Sequence, residues 1–153
     1  MTHEEIASCL NSALDALIVG DGYLLSVDSS ERSISHRLAV YLAQQVPGYD
    51  VDCEYNRDGF DVKRLQLAPR RVNDNDVEAV TVFPDIIVHR RGTNEHNLLV
   101  VEMKKASSTV SPDYDMEKLK AFRHELKYLF AVHVTVGKNG AEKLVRKVVW
   151  VDG

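Results

Sequence analysis

The chain has 153 residues, a net charge of −4, 27% charged residues and 44% hydrophobic ones, an ordinary globular composition that suits one self-sufficient core. No apolar run reaches about 18 residues, which excludes a transmembrane span. The mild acidity argues against a general nucleic-acid coat protein, which carries a basic footprint.

The elements follow in chain order. Thr2-x-x-Glu5 is a capping box. It opens a helix with an apolar stripe of Ile6, Leu10, Ala13, Leu14, Leu17 and Ile18, and Gly20-Asp21-Gly22 ends it. A second helix is expected from about Asp28-Ser29, with Ile34, Leu38, Tyr41, Leu42 and Val46 as its stripe and Pro47-Gly48 as its stop. Tyr49 to Tyr55 reads as a strand, Asn56 to Gly59 as a turn, Val62 to Leu67 as a short strand and Asn73 to Asp76 as a loop. Val82 to His89, Arg90 to His96 and Asn97 to Lys104 then read as strand, turn and strand. Ser111-Pro112 resembles an N-cap with proline at the first helical position, before the stripe Met116, Leu119, Phe122 and Leu126. Two strands, Tyr128 to Val136 and Leu144 to Val151, flank the turn Gly137 to Gly140. A single domain over residues 1–153 is expected.

The hairpin carries the chemistry. With its turn centred between Thr93 and Asn94, Asp85 lies directly opposite Glu102. Like charges so placed are about 4.5–5.5 Å apart at Cβ and destabilising. A divalent cation bridging the two carboxylates is the simplest remedy. Lys104, two residues on, projects from the same face, while Lys105 points to the other. The hairpin should be antiparallel and central, because Ile86 to Val88 and Leu98 to Val101 leave almost no polar face.

On Pro84, Asp85, Glu102 and Lys104 the chain resembles the PD-(D/E)xK nuclease superfamily, the restriction-endonuclease-like fold. The resemblance covers residues 31 to 136 or so. It implies an α/β fold with an αβββαβ core, a mixed central sheet flanked by helices, and the first helix as an extra N-terminal element. It implies a metal-dependent nuclease hydrolysing phosphodiester bonds, DNA foremost. Asp85 and Glu102 would hold Mg²⁺, with Mn²⁺ also suitable, and Lys104 would assist the attacking water. Glu31 is the family-type helix acid that completes the metal shell directly or through water. Asp28-Ser29-Ser30-Glu31 reads equally as a capping arrangement with Glu31 at the third helical position. Glu54 is a weaker further acid, and His36 is expected to face away from Glu31. The first helix would serve a homodimer. The alternative is an inactive domain of the same fold that binds nucleic acid or protein.

The remaining residues read as structural. His89, His96, His124 and His133 make no zinc spacing, and each is expected to be a surface or satisfied core histidine. Gly20 and Gly22 make no phosphate loop. Arg57, Lys63, Arg64, Arg70 and Arg71 form one basic group, and Lys118, Lys120, Arg123 and Lys127 another; each suits a solvated face or a phosphate track. Cys9 and Cys53 are expected to be buried thiols in a reducing cytoplasm, since Met1 to Glu5 shows no signal-peptide pattern.

Overall fold

The computed structural model describes residues 1–55 and 83–152 in full, and the backbone alone of 57–58, 61–62, 64–65 and 80–81. The elements are α1 (His3–Gly20), α2 (Gly22–Ser26), α3 (Glu31–Gln45), β1 (Asp50–Cys53), β2 (Arg57–Asp58), β3 (Asp61–Val62), β4 (Arg64–Leu65), β5 (Val80–Thr81), β6 (Ile86–His89), β7 (Leu99–Lys105), α4 (Asp113–Leu126), β8 (Phe130–Lys138) and β9 (Leu144–Trp150). Five strands form one mixed sheet in the order β1-β6-β7-β8-β9. Only β7 and β8 run parallel, and α4 supplies the crossover that a parallel pair requires. β2 pairs with β3, and β4 with β5, as separate two-stranded pieces.

The sheet is buried on both faces because its strands are apolar on both sides. Ile86, Val88, Leu99, Val101, Met103, Val132, Val134 and Val136 pack against α1 and α3. Ile87, Val100 and Ala131 point the other way, onto Leu119, Phe122 and Leu126 of α4. The result is helices, sheet and helix in three layers. The expected antiparallel, central hairpin is found: β6 and β7 pair through Ile86–Val101, Ile87–Val100 and Val88–Leu99.

The helix boundaries depart from expectation for local reasons. The Thr2–Glu5 capping box forms. After Gly20 and Asp21 the chain makes one more short helix, α2. Ser30, not Asp28, caps α3 by accepting from the Ser33 amide, so Glu31 is the first helical residue and takes no part in a box. Pro112 precedes α4 rather than starting it, and Ser111 Oγ accepts from the Asp113 amide. The expected Asn73–Asp76 loop, half of the Val62–Leu67 strand and the side chains of the first basic group lie outside the described residues.

The apolar stripe of α1 is consumed within the chain, with Ile6, Leu10, Ala13, Leu14 and Leu17 all fully buried. A dimer through α1 would therefore use its polar outer face. Cys9 is half-buried and Cys53 is exposed, correcting the expectation that both are buried. Cys53 ends β1 at the rim of a cavity. No helix among the described residues is long and apolar enough to cross a membrane.

Candidate functional site

The site is built where β6 begins. Pro84 has no amide to donate. Its carbonyl accepts from the Glu54 amide at 2.9 Å, and the Asp85 carbonyl shares that amide at 3.3 Å. Glu54 reaches this position with a left-handed φ of 51°. The chain before Ile86 is thus tied to the end of β1, and Asp85 stands just outside the strand. Its carboxylate instead accepts from the Met103 amide at 2.7 Å. The register that pairs Ile86 with Val101 sets Asp85 opposite Glu102, as expected.

Strand alternation turns Glu102 and Lys104 toward α4. Glu102 is only 2% exposed. Lys118 of α4 reaches down to it as an ion pair, Nζ 2.9 Å from Oε1. Lys104 Nζ is 2.9 Å from Asp115 Oδ2, and His133 Nε2 stands 3.6 Å from that same oxygen. Three carboxylates and two ammonium groups therefore share one poorly solvated space between β7, β8 and α4.

Burial drives the electrostatics. It lifts the Asp85 carboxyl above its ordinary range, against the pull of the Met103 amide. Burial first, and then the neighbouring Asp85 charge, push Glu102 well above the carboxylate range. Burial alone would lower Lys118, but Glu102 outweighs it and holds the ammonium up. Burial also pushes Asp115 upward, yet His133 and Lys104 prevail and hold its carboxyl at about 2. A depressed carboxyl contributes stability above its unfolded value and loses it as pH falls through the folded one. Acid unfolding should therefore include an Asp115 contribution lost between pH about 4 and about 2. Melting curves across that range should show it shrink in Lys104→Met, and an identical acid limb in the two proteins would contradict the pairing.

The second face meets the site from the side of α3. Glu31 Oε2 accepts from the Lys105 amide at 2.9 Å, and Lys105 Nζ pairs with Asp28 at 3.3 Å, so Lys105 points away from Glu102 as expected. A cavity of about 510 Å³ is lined by Glu31, Ser35, His36, Cys53, Glu54 and Asp85. Glu31 and Asp85 therefore share a cavity. His36 lines it too, which corrects the expectation that it faces away: the cavity wraps the first turns of α3 and collects side chains more than one turn apart. Glu54 is engaged by Arg32 at 3.1 Å. His89 is buried and bonded to Asp52 at 2.8 Å, His133 is buried with Nε2 3.6 Å from Asp115, longer than a hydrogen bond, and His96 and His124 are exposed.

Sequence reading missed Asp115 and Lys118 as members of the site. The signal was present. Asp115 occupies the core position one turn before Leu119 on the face of α4 that also carries Phe122 and Leu126. A buried acid on such a face demands a partner.

The donor set suits a hard divalent cation. Mg²⁺ is held by one or two carboxylates, waters and substrate phosphate, and Asp85 and Glu102 are two carboxylates crowded together where solvent does little to separate their charges. Among the described residues no group of three or more His, Cys, Asp or Glu side chains is arranged to hold a metal ion. The two-carboxylate set is the candidate. The class defined by the structure is a three-layer α/β domain with a buried carboxylate–lysine cluster at the end of its central hairpin. No protein-family model, curated protein or solved structure matches the chain.

Proposed function

We propose that the chain is a divalent-metal-dependent nuclease of the restriction-endonuclease-like kind, hydrolysing phosphodiester bonds, with DNA as the first substrate to test. The observation that carries the reading is the opposition of Asp85 and Glu102, both lifted above the ordinary carboxylate range, with an ammonium group on the same sheet face. A binding module has no need for two acids so placed. When bound by these carboxylates, Mg²⁺ or Mn²⁺ would polarise the scissile phosphate and lower the pKa of an attacking water. Asp85 is positioned by the Met103 amide, which fixes one carboxylate oxygen, and its side chain interacts with that of Glu102. Glu102 would hold the cation in place of its Lys118 partner. Lys104 supplies positive charge near the phosphate and its attacking water. Glu31 lies on the cavity that leads to Asp85 and acts through water, since its Oε2 already accepts from the Lys105 amide. The reading places the chain in the cytoplasm, where Cys9 and Cys53 stay reduced.

A second reading has an observation of its own. The Glu102–Lys118 and Lys104–Asp115 pairs balance much of the buried charge without a metal, as a non-catalytic module of this fold would require. The deciding measurements are a nicking assay on supercoiled DNA and calorimetry with Mg²⁺ and Mn²⁺. The nuclease reading expects metal-dependent nicking and weak metal binding, both lost in Asp85→Ala. Equal metal binding by wild type and Asp85→Ala would remove the carboxylate pair as the metal site.

A further inference from the structure

Beyond the site, α4 carries a second basic feature that the proposed chemistry does not use. Lys120, Arg123, His124 and Lys127 line a cavity of about 500 Å³ whose floor includes Leu129 and Val151. A smaller cavity of about 280 Å³ shares Arg123, Val151 and Asp152 with it and is lined beyond them by Phe130, Trp150 and His3. The two adjoin at those shared residues, a groove with cations at one end and a packed cluster of His3, Trp150 and Phe130 rings at the other. Leu129 is 57% exposed within it, and Asp152 is the acid on its lining. In a chain of net charge −4 this concentration of cations runs against the overall balance.

Helix geometry does not require the whole cluster. Cations in a last turn complement the helix dipole, which accounts for Arg123 and His124. Arg123 also donates to the Val151 carbonyl at 2.7 Å, fixing one side of its guanidinium to the wall. Lys127 lies past the helix, in the left-handed conformation, with Nζ 2.8 Å from the His124 carbonyl. Lys120 stands a turn and more upstream of the helix end and is exposed. Lys120 and Arg123, three residues apart, follow one face of α4, and Lys127 joins them just past its end. Such a group suits repeating phosphates, and the aromatic cluster beside it, in which His3 packs on Trp150 at 4.6 Å, offers a base a partner.

We infer that this groove binds one strand of nucleic acid, with phosphates on Lys120, Arg123 and Lys127 and a base against Trp150. The inference rests on the proposed nuclease reading only for why a strand should be present. The cations of the groove lie about 3–14 Å along α4 from Lys118, two to nine residues at about 1.5 Å each. A strand of a few nucleotides spans that distance. Bound here, it would leave a phosphodiester bond near Glu102 and Lys104.

Trp150 is the only tryptophan in the chain, so its fluorescence reports occupancy of the groove. The experiment titrates a single-stranded oligothymidylate into the full chain in EDTA, where no cleavage can occur. Wild type should show quenched tryptophan emission. Binding should weaken with salt at a log–log slope of about −2, since each neutralised phosphate of a single strand contributes about −0.7. That is roughly a twentyfold loss between about 50 and 200 mM salt. The double variant Lys120→Gln, Lys127→Asn removes two of the three charges and keeps a residue that tolerates the left-handed conformation at the helix end. It should melt like wild type, bind at least about tenfold more weakly at low salt, and show a slope near −0.7. Three results overturn the inference: no quenching by the oligonucleotide, equal affinity in the double variant, or competition by polyglutamate as effective as by the unlabelled strand, which would mark an acidic protein partner. Failure of metal-dependent nicking with groove binding intact would reject the nuclease and keep the groove.

Discussion

Lys104→Ala should lower metal-dependent strand cleavage by about 10²–10³, the usual loss on removing one electrostatic contact to a transition state. Strand binding in EDTA and calorimetric metal binding should persist, because Asp85 and Glu102 remain. The single variant will not be neutral for folding. Lys104 is mostly buried and paired with Asp115 at 2.9 Å, not free in solvent as a strand-end lysine would be. Removing one partner of a buried pair costs about 3–5 kcal/mol, and His133 beside Asp115 should keep the loss at the low end. Lys104→Ala combined with Asp115→Asn removes the stranded charge. This double variant should regain much of the melting temperature and stay inactive. Recovery of cleavage along with stability would reduce Lys104 to a structural role. If wild type with Mg²⁺ or Mn²⁺ cleaves none of duplex, single-stranded or branched DNA or RNA, the catalytic reading fails and the binding-module reading stands.

The second large effect is on stability and belongs to Lys118. Lys118→Met should destabilise the metal-free protein by about 3–5 kcal/mol at neutral pH. Glu102 would be left at 2% exposure facing Asp85, with the ammonium at 2.9 Å gone. The pH dependence has a definite sign. Both carboxyls are held above their ordinary range, so they keep their protons longer in the folded state than in the unfolded one. Their contribution is present below the ordinary carboxylate range and is lost as pH rises through the raised folded values. The deficit of Lys118→Met should therefore widen as pH rises out of the acid range. Adding Glu102→Gln should restore much of the loss. Mg²⁺ or Mn²⁺ should raise the melting temperature of Lys118→Met more than that of wild type, because the cation no longer displaces a lysine. Equal melting of Lys118→Met and wild type in EDTA at neutral pH would show that the pair does not hold this end of the sheet.

Much of the fold was legible from pattern because it follows from local rules. Three-to-four-residue apolar spacing marked α1, α3 and α4, and runs rich in valine and isoleucine marked β6, β7 and β8 as strands covered on both faces. Helix ends were less accurate. Ser29, Ser30, Ser111 and Pro112 can each serve a cap in more than one register, and packing selects among them.

The candidate site divides along the same line. The sequence by itself determined that Asp85 faces Glu102, since hairpin register follows from the turn and the apolar pattern. It also determined that Lys104 shares the face of Glu102 and that Lys105 does not, because strand side chains alternate. Only the tertiary structure decided the partners: Lys118 on Glu102, Asp115 on Lys104, the Met103 amide on Asp85 and the Lys105 amide on Glu31. These contacts depend on how α3 and α4 settle against the two sheet faces. A helix can shift or rotate on its apolar stripe without changing its own periodicity, so no local pattern specifies which polar side chains it delivers to the sheet.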